Sequence, residues 1–221
     1  MKIEFLGHSC FLIESKGVKI LTDPFLTGNA KASKTAEEVE ADYIFVTHGH
    51  GDHIGDAISI AKRTGAQVFA VVEIAESVFV PEKINVAMGN MGGRQKISFG
   101  SVKIVPAAHG SGVAGALACG YVLEISGKKI YHAGDTGLIS DMQFLADEKI
   151  DAALLPIGDF YTMGPEDAVK AAKLISPKLV IPMHYNTFPV IEQDPEEFKK
   201  TLEKEGICQV KILNPGEFIE I

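Results

Sequence analysis

The chain has 221 residues, with 21 Lys and Arg against 29 Asp and Glu, a formal net charge of −8. Apolar residues make up 46% and charged residues 23%, which excludes a disordered chain, and 22 glycines and 10 prolines without a period exclude a collagen-like one. The acidic balance argues against a protein that coats nucleic acid or an anionic membrane through a global basic field.

The N-terminal residues read MKIEFLGHSC, where Glu4 and His8 interrupt the apolar run that a signal peptide requires. No stretch approaches the length of a membrane span. Short strands are predicted over 2–6, 10–14 and 18–21, separated by the turn compositions LGHS and SKG. Residues 26–40 are polar and predict a loop running into a short helix. A buried strand over 43–46 precedes a helix with Ile54, Ile58 and Ala61 on one face and Gly65 as its stop. Strands follow over 68–72, 84–87, 95–99, 102–107, 120–125 and 129–132. The last third alternates: a helix over 139–146, a strand over 152–156, a helix from Pro165 to 174 and a strand over 179–182. A helix capped by Asp194-Pro195-Glu196-Glu197 then runs to Lys204, before a strand over 209–213.

There is no internal repeat or linker, so a single domain over 1–221 is expected. Alternation of strands and helices at both ends of a strand-rich middle predicts an α+β fold with α/β-like alternation. The expected form is two packed sheets with helices outside, a four-layer αββα sandwich. Cys10, Cys119 and Cys208 form no CxxC pair and suit reduced thiols and a cytoplasmic location.

Asp23, His48, His109, Asp135, Asp159 and His184 each follow an apolar strand, the position where open α/β sheets place their ligand sites. The densest piece is THGHGDH, with His48, His50, Asp52 and His53 inside six residues. Imidazoles with a carboxylate suit Zn²⁺ and its neighbours, and the intervening glycines let the backbone curl to aim them. One tetrahedral ion cannot easily take all four from so short a loop, whereas two ions can, and a carboxylate such as Asp135 can bridge them. The competing reading is a solvated loop rich in histidine.

At these residues the sequence resembles the metallo-β-lactamase superfamily. His48-x-His50-x-Asp52-His53 matches its defining motif, and His109, Asp135 and His184 follow in the family order. The segments FLGHSCFLIE, ILTDPFLTGN, MGNMGG, LLPIGDFYTMGPEDA and IPMHYNTF are similar to the small, single-domain metal-dependent hydrolases related to the ascorbate-phosphate lactonase type. The resemblance implies one metal held by His48, His50 and His109, a second by Asp52, His53 and His184, and Asp135 between them. It implies a hydrolase with a binuclear site and a bridging hydroxide, acting on a small ester, lactone or phosphodiester. The alternatives are a nuclease or cyclic-nucleotide phosphodiesterase and, from another class, a non-catalytic metal-binding module. Two divalent ions are expected, Zn²⁺ first, with Mn²⁺ or Fe²⁺ also accepted. Two ions, two aspartates and a hydroxide sum to about +1, which admits anionic substrates.

Asp52 and His8 are the candidate catalytic residues. His8 is either a hydrogen-bonded turn histidine or a substrate contact and general acid. Asp23 is expected to orient a ligand histidine, and His132 to pack nearby or support a ligand. Asp159 and Asn186, with Tyr161, Tyr185 and Thr187, are candidates to line the pocket. The expected partner is a small, anionic molecule, with no membrane, nucleic acid disfavoured and a homo-oligomer left open.

Overall fold

The computed structural model describes residues 1–221 and consists of two seven-stranded sheets. The first contains β1 (Lys2–Gly7), β2 (Cys10–Ser15), β3 (Val18–Thr22), β4 (Tyr43–Phe45), β5 (Gln67–Val71) and β6 (Val86–Gly89) in sequence order. The second contains β7 (Arg94–Ile97), β8 (Gly100–Pro106), β9 (Cys119–Ile125), β10 (Lys128–His132), β11 (Ala152–Pro156), β12 (Leu179–Met183) and β13 (Gln209–Val210). The chain returns to the first sheet in β14 (Phe218–Glu220), antiparallel to β1. Each sheet is antiparallel in its first half and parallel in its second, the change falling at β3–β4 and at β10–β11. The parallel strands β11 and β12 are buried along their whole length, as strands covered on both faces must be.

The sheets pack on an apolar core of 60 residues drawn from both. Phe45 stacks on Phe69 at 4.6 Å, and Tyr121 of β9 meets Phe45 edge-on at 5.1 Å. The Tyr121 hydroxyl donates to Val46 O at 2.9 Å, so one buried side chain ties the second sheet to the strand that leads to His48. The helices are α1 (Gly51–Ile54), α2 (Ala57–Thr64), α3 (Val72–Ile74), α4 (Pro165–Ile175) and α5 (Pro195–Lys204), of which α2 packs on β5, α4 on β11 and α5 on β13. Pro165 opens α4 with Glu166 and Asp167 in its first turn, and Asp194 caps α5 by accepting from Glu196 N at 2.9 Å. No helix is long and apolar enough to cross a membrane.

This architecture is the expected sandwich, with local differences. The helix read around Ile54 to Gly65 is two, α1 and α2, because Gly55 turns at φ 42 to pass Pro24, whose carbonyl accepts from Asp56 N. A side chain at Gly55 would collide with that carbonyl. Residues 26–40 form turns and no helix; the Asn29 side chain donates to Phe25 O and accepts from Lys31 N, closing the chain locally. The helix expected over 139–146 is a 3-10 segment, Ser140–Glu148. Strand β14 and the helical stretch from Val72 to Phe79 are additions to the expected elements.

Candidate metal centre

Strand direction gathers the polar residues. β1 and β3 flank the antiparallel β2 and so run the same way, as does β4. β8 and β10 flank β9 in the same manner, and β11 and β12 continue parallel. The carboxyl ends of these strands lead into His8, Asp23 and His48 on one sheet and into His109, Asp135, Asp159 and His184 on the other. His8, Asp23 and His184 sit at φ 58, 37 and 54, a left-handed conformation that few non-glycine residues adopt. The chain thus turns sharply at three strand ends, and His184 N donates to His8 O at 2.8 Å to join two of them.

Two groups of donors form around Asp135. In the first, His50 Nδ1 lies 3.0 Å from His48 Nε2 and 3.3 Å from His109 Nε2. Three imidazoles on one tetrahedral Zn²⁺ place their nitrogens about 3.3 Å apart, given Zn–N bonds of about 2.0–2.1 Å. The second contains Asp52, His53 and His184, whose donor atoms lie within 4.8 Å of one another, together with His8. Asp135 stands between: Oδ2 is 3.1 Å from His184 Nε2, 3.5 Å from His109 Nε2 and 4.0 Å from His48 Nε2, and Oδ1 is 3.2 Å from His53 Nε2. His48, His53, His184 and Asp135 are buried, whereas His50, Asp52 and His109 are part-exposed and form the open side.

Hydrogen bonds around the cluster fix the tautomers. Asp23, fully buried, accepts from Thr47 N at 2.8 Å, from the Thr47 hydroxyl at 2.7 Å and from His53 Nδ1 at 2.8 Å. With its proton given to Asp23, the Thr47 hydroxyl accepts from His48 Nδ1 at 3.1 Å. Each ring therefore carries its Nδ1 proton outward, and in the neutral form its Nε2 lone pair faces the cluster, the usual support of a metal-bound histidine. The loop after His109 closes over the motif through Gly49 N, which donates to Ser111 O at 2.6 Å. Gly112 permits this approach, since a Cβ there would sit 2.7 Å from His50 Cδ2.

Burial and neighbouring charges shift these groups in opposite directions. Burial opposes protonation of His53, but Asp135 and Asp23 outweigh it and raise its pKa well above the usual value. Burial pushes His48 down to about 3, reinforced by His53. Burial would raise Asp135, yet His53 and His184 hold it well below the usual carboxylate range. Six buried side-chain polar atoms in the chain lack a hydrogen bond, and five are here: His8 Nε2, His53 Nε2, Asp135 Oδ1 and both His184 nitrogens. Each orphan costs about 1–3 kcal/mol unless something satisfies it. Imidazole lone pairs and a carboxylate, buried and converging, are donors that divalent ions satisfy, so the residues fit the metals that the sequence implies.

His132 uses both nitrogens, Nε2 with Ser9 O at 2.9 Å and Nδ1 accepting from Gly134 N at 3.1 Å, and so ties the β1–β2 turn to the Asp135 loop. Asp159 and Asn186 do not join the cluster through their bonds. Asp159 is exposed and accepts from Phe160 N at 2.9 Å; Asn186 is exposed and pairs with the Gln193 backbone. Thr47 and Thr136 were missed in the sequence. The Thr136 hydroxyl accepts from Ala108 N at 3.0 Å and so links the His109 and Asp135 loops. Adjacency to a ligand was their only sequence signal.

The profile of the beta-lactamase superfamily domain matches residues 2–184. A metal-dependent hydrolase of Pelotomaculum thermopropionicum is 50% identical over 230 aligned positions, covering 100% of both chains. One of Archaeoglobus fulgidus is 46% identical, covering 100% of this chain and 99% of the relative. Igni18, a metallo hydrolase from Ignicoccus hospitalis, superposes with a TM-score of 0.93 at 40% identity, over 100% of this chain and 98% of that one.

Proposed function

The chain belongs to the metal-dependent hydrolases of the beta-lactamase superfamily, and we propose that it uses two divalent ions to cleave a small anionic ester, lactone or phosphodiester. The observation that carries two ions rather than one is the split of the donors into two sets that share Asp135. His48, His50 and His109 would hold one ion, Asp52, His53 and His184 the other, and the Asp135 carboxylate would serve both. Zn²⁺ suits this imidazole-rich set best, and Mn²⁺ or Fe²⁺ also accept it. When bound, the pair supplies a hydroxide nucleophile near neutral pH and a Lewis acid for the substrate oxygen.

The protein's own residues hold and orient. Asp23 and Thr47 keep the His53 and His48 rings turned so that Nε2 faces inward. Asp52, His50 and His109 line the part-exposed side, from which substrate would approach. Two ions, two carboxylates and a hydroxide leave about +1 at the site, inside a chain of −8, which supports a small anionic substrate over a polyanion that the rest of the surface repels. Three free cysteines support a cytoplasmic setting.

The test strips the protein with chelator, restores Zn²⁺, Mn²⁺ or Fe²⁺ singly, and measures turnover of lactones, phosphodiesters, carboxylic esters and single-stranded RNA. Metal-restored turnover of a small substrate is expected. Cleavage of RNA alone would replace this reading with a nuclease.

A further inference from the structure

Eight large apolar side chains are exposed in this chain, and four of them, Leu117, Phe160, Tyr161 and Val190, stand in three loops beside the metal centre. Scattered singly such residues need no account, but gathered beside a polar site they mark a binding surface. Leu117 ends the loop that leaves His109. That loop packs Val113 on Gly49, where a Cβ would lie 2.6 Å from Val113 Cγ2, and rejoins the motif as Cys119 N donates to Thr47 O at 3.0 Å. Val190 follows His184, in a loop closed by Asn186 N donating to Ile191 O at 2.9 Å.

The loop after β11 carries the aromatic pair and is clamped to the centre at both ends. A side chain at Gly158 would collide with His184 O, and Met163 N donates to Thr136 O at 2.9 Å, one residue beyond Asp135. Between the clamps, Asp159 and Phe160 both take left-handed backbone, at φ 59 and 53, a conformation that a bulky side chain rarely adopts. Asp159 O accepts from Tyr161 N at 2.5 Å and Thr162 N at 3.2 Å, and buried Met163 anchors the return. The turn leaves Phe160 73% and Tyr161 52% exposed, with their rings edge-on at 4.8 Å. Strain that holds two apolar rings in water beside a metal centre has a reason if a ligand covers them.

From this arrangement we infer that Phe160 and Tyr161 are specificity-determining residues that take an apolar part of the substrate, an alkyl or aryl tail on the anionic head that the ions hold. The inference rests on the two-ion reading above. A tail is favoured over a second copy of the chain on two grounds. A copy seated on these loops would close the side left open by His50, Asp52 and His109, and two chains of −8 repel each other.

The experiment measures binding of methyl-, butyl- and octylphosphonate to the Zn²⁺-loaded protein by calorimetry, in wild type and in the double variant Phe160→Asn with Tyr161→Ser. Asparagine tolerates the left-handed backbone at position 160. Melting and metal content check the fold of each protein, and sedimentation its oligomeric state. A fully buried methylene tightens binding about fourfold. A tail partly covered on an open rim should therefore make octylphosphonate bind wild type more than ~10-fold tighter than methylphosphonate. The heat-capacity change should grow more negative with the tail. In the double variant the octyl-to-methyl ratio should fall at least ~5-fold. Equal affinity of the three probes in wild type would overturn the inference, whether or not the variant folds. An unchanged ratio in the folded double variant would overturn the assignment to these rings. So would a wild-type dimer that the double variant dissociates, which would give the rings to a second copy. Failure of all three probes to bind loaded wild type would refute the anion-holding ion pair itself, and the inference with it.

Discussion

At the start of β10, Lys129 Nζ sits 3.0 Å from Glu148 Oε2, and the same carboxylate accepts from Arg94 at 2.6 Å and Lys103 at 2.9 Å. Past the other end of β10, Asp135 Oδ1 faces His53 Nε2 at 3.2 Å with neither atom in a hydrogen bond. The Glu148 group is a carboxylate ringed by long, flexible cations that neutralise it without any added ion. The Asp135 group surrounds its carboxylate with short, rigid imidazoles pinned from behind by Asp23 and Thr47, and leaves their inner lone pairs unmatched. One cluster finishes its own electrostatics, while the other is finished only by something that binds. Charged residues at the two ends of one strand thus serve stability at one end and ligand binding at the other.

Substitutions can break this contrast, the largest effect first. Asp135→Asn keeps the shape and removes the shared charge. Activity should fall by more than ~100-fold, above the loss from an outer partner, while the first ion still binds its three imidazoles. Metal content and turnover measured together check this; equal loss of both ions with collapse of the fold would make Asp135 structural.

Asp23→Asn should weaken metal binding ~10–100-fold through the His53 ring it no longer holds. It should also lower stability by about 1–3 kcal/mol through donors left unmatched, seen as a lower denaturant midpoint in the metal-free protein. Unchanged affinity would show that the His53 ring holds its position unaided.

Glu148→Gln should do the reverse, costing about 1–3 kcal/mol of stability with metal content and turnover unchanged. Its pH dependence carries a sign. Burial would raise the Glu148 carboxyl, but Lys103, Lys129 and Arg94 outweigh it and bring it down to about 2 from 4.5. The group therefore stabilises fully above the unfolded value, and the contribution is lost as pH falls from about 4.5 toward 2. Denaturation of wild type and variant should differ at pH 7 and converge through that acid window; a gap that persists at pH 2 would contradict the ion pairs. The smallest effect is expected from Asp159→Asn, within about 0.5 kcal/mol and without change in bound metal, because that side chain bonds only its own turn.

Much of this was legible in the sequence because local signals agreed with the tertiary fold. The apolar run at Ala152–Pro156 is β11 to the residue, and Asp194-Pro195 starts α5 where its cap and proline place it. Gly55 was not legible, because the carbonyl that breaks the helix belongs to Pro24, beyond any helical window. Strand β14 has three residues and exists through its partner β1, so periodicity could not find it. The common wiring of the two sheets has no counterpart in a sequence repeat. Four metal-binding candidates crowd into THGHGDH, and the rest stand at strand ends, which made the cluster readable. Asp159 and Asn186 also lie in loops that follow strands and looked equivalent, but their backbone turns consume their polar groups locally. The orienting threonines were illegible because a hydroxyl beside a strand end is common and its partner is distant in sequence.

Whether one carboxylate serves two ions is read most directly from anomalous diffraction by crystals of the Zn²⁺-loaded protein. Two peaks per chain are expected, one among His48, His50 and His109 and one among Asp52, His53 and His184, with Asp135 contacting both. A single peak at saturating Zn²⁺, or a second peak away from Asp52 and His184, would contradict it.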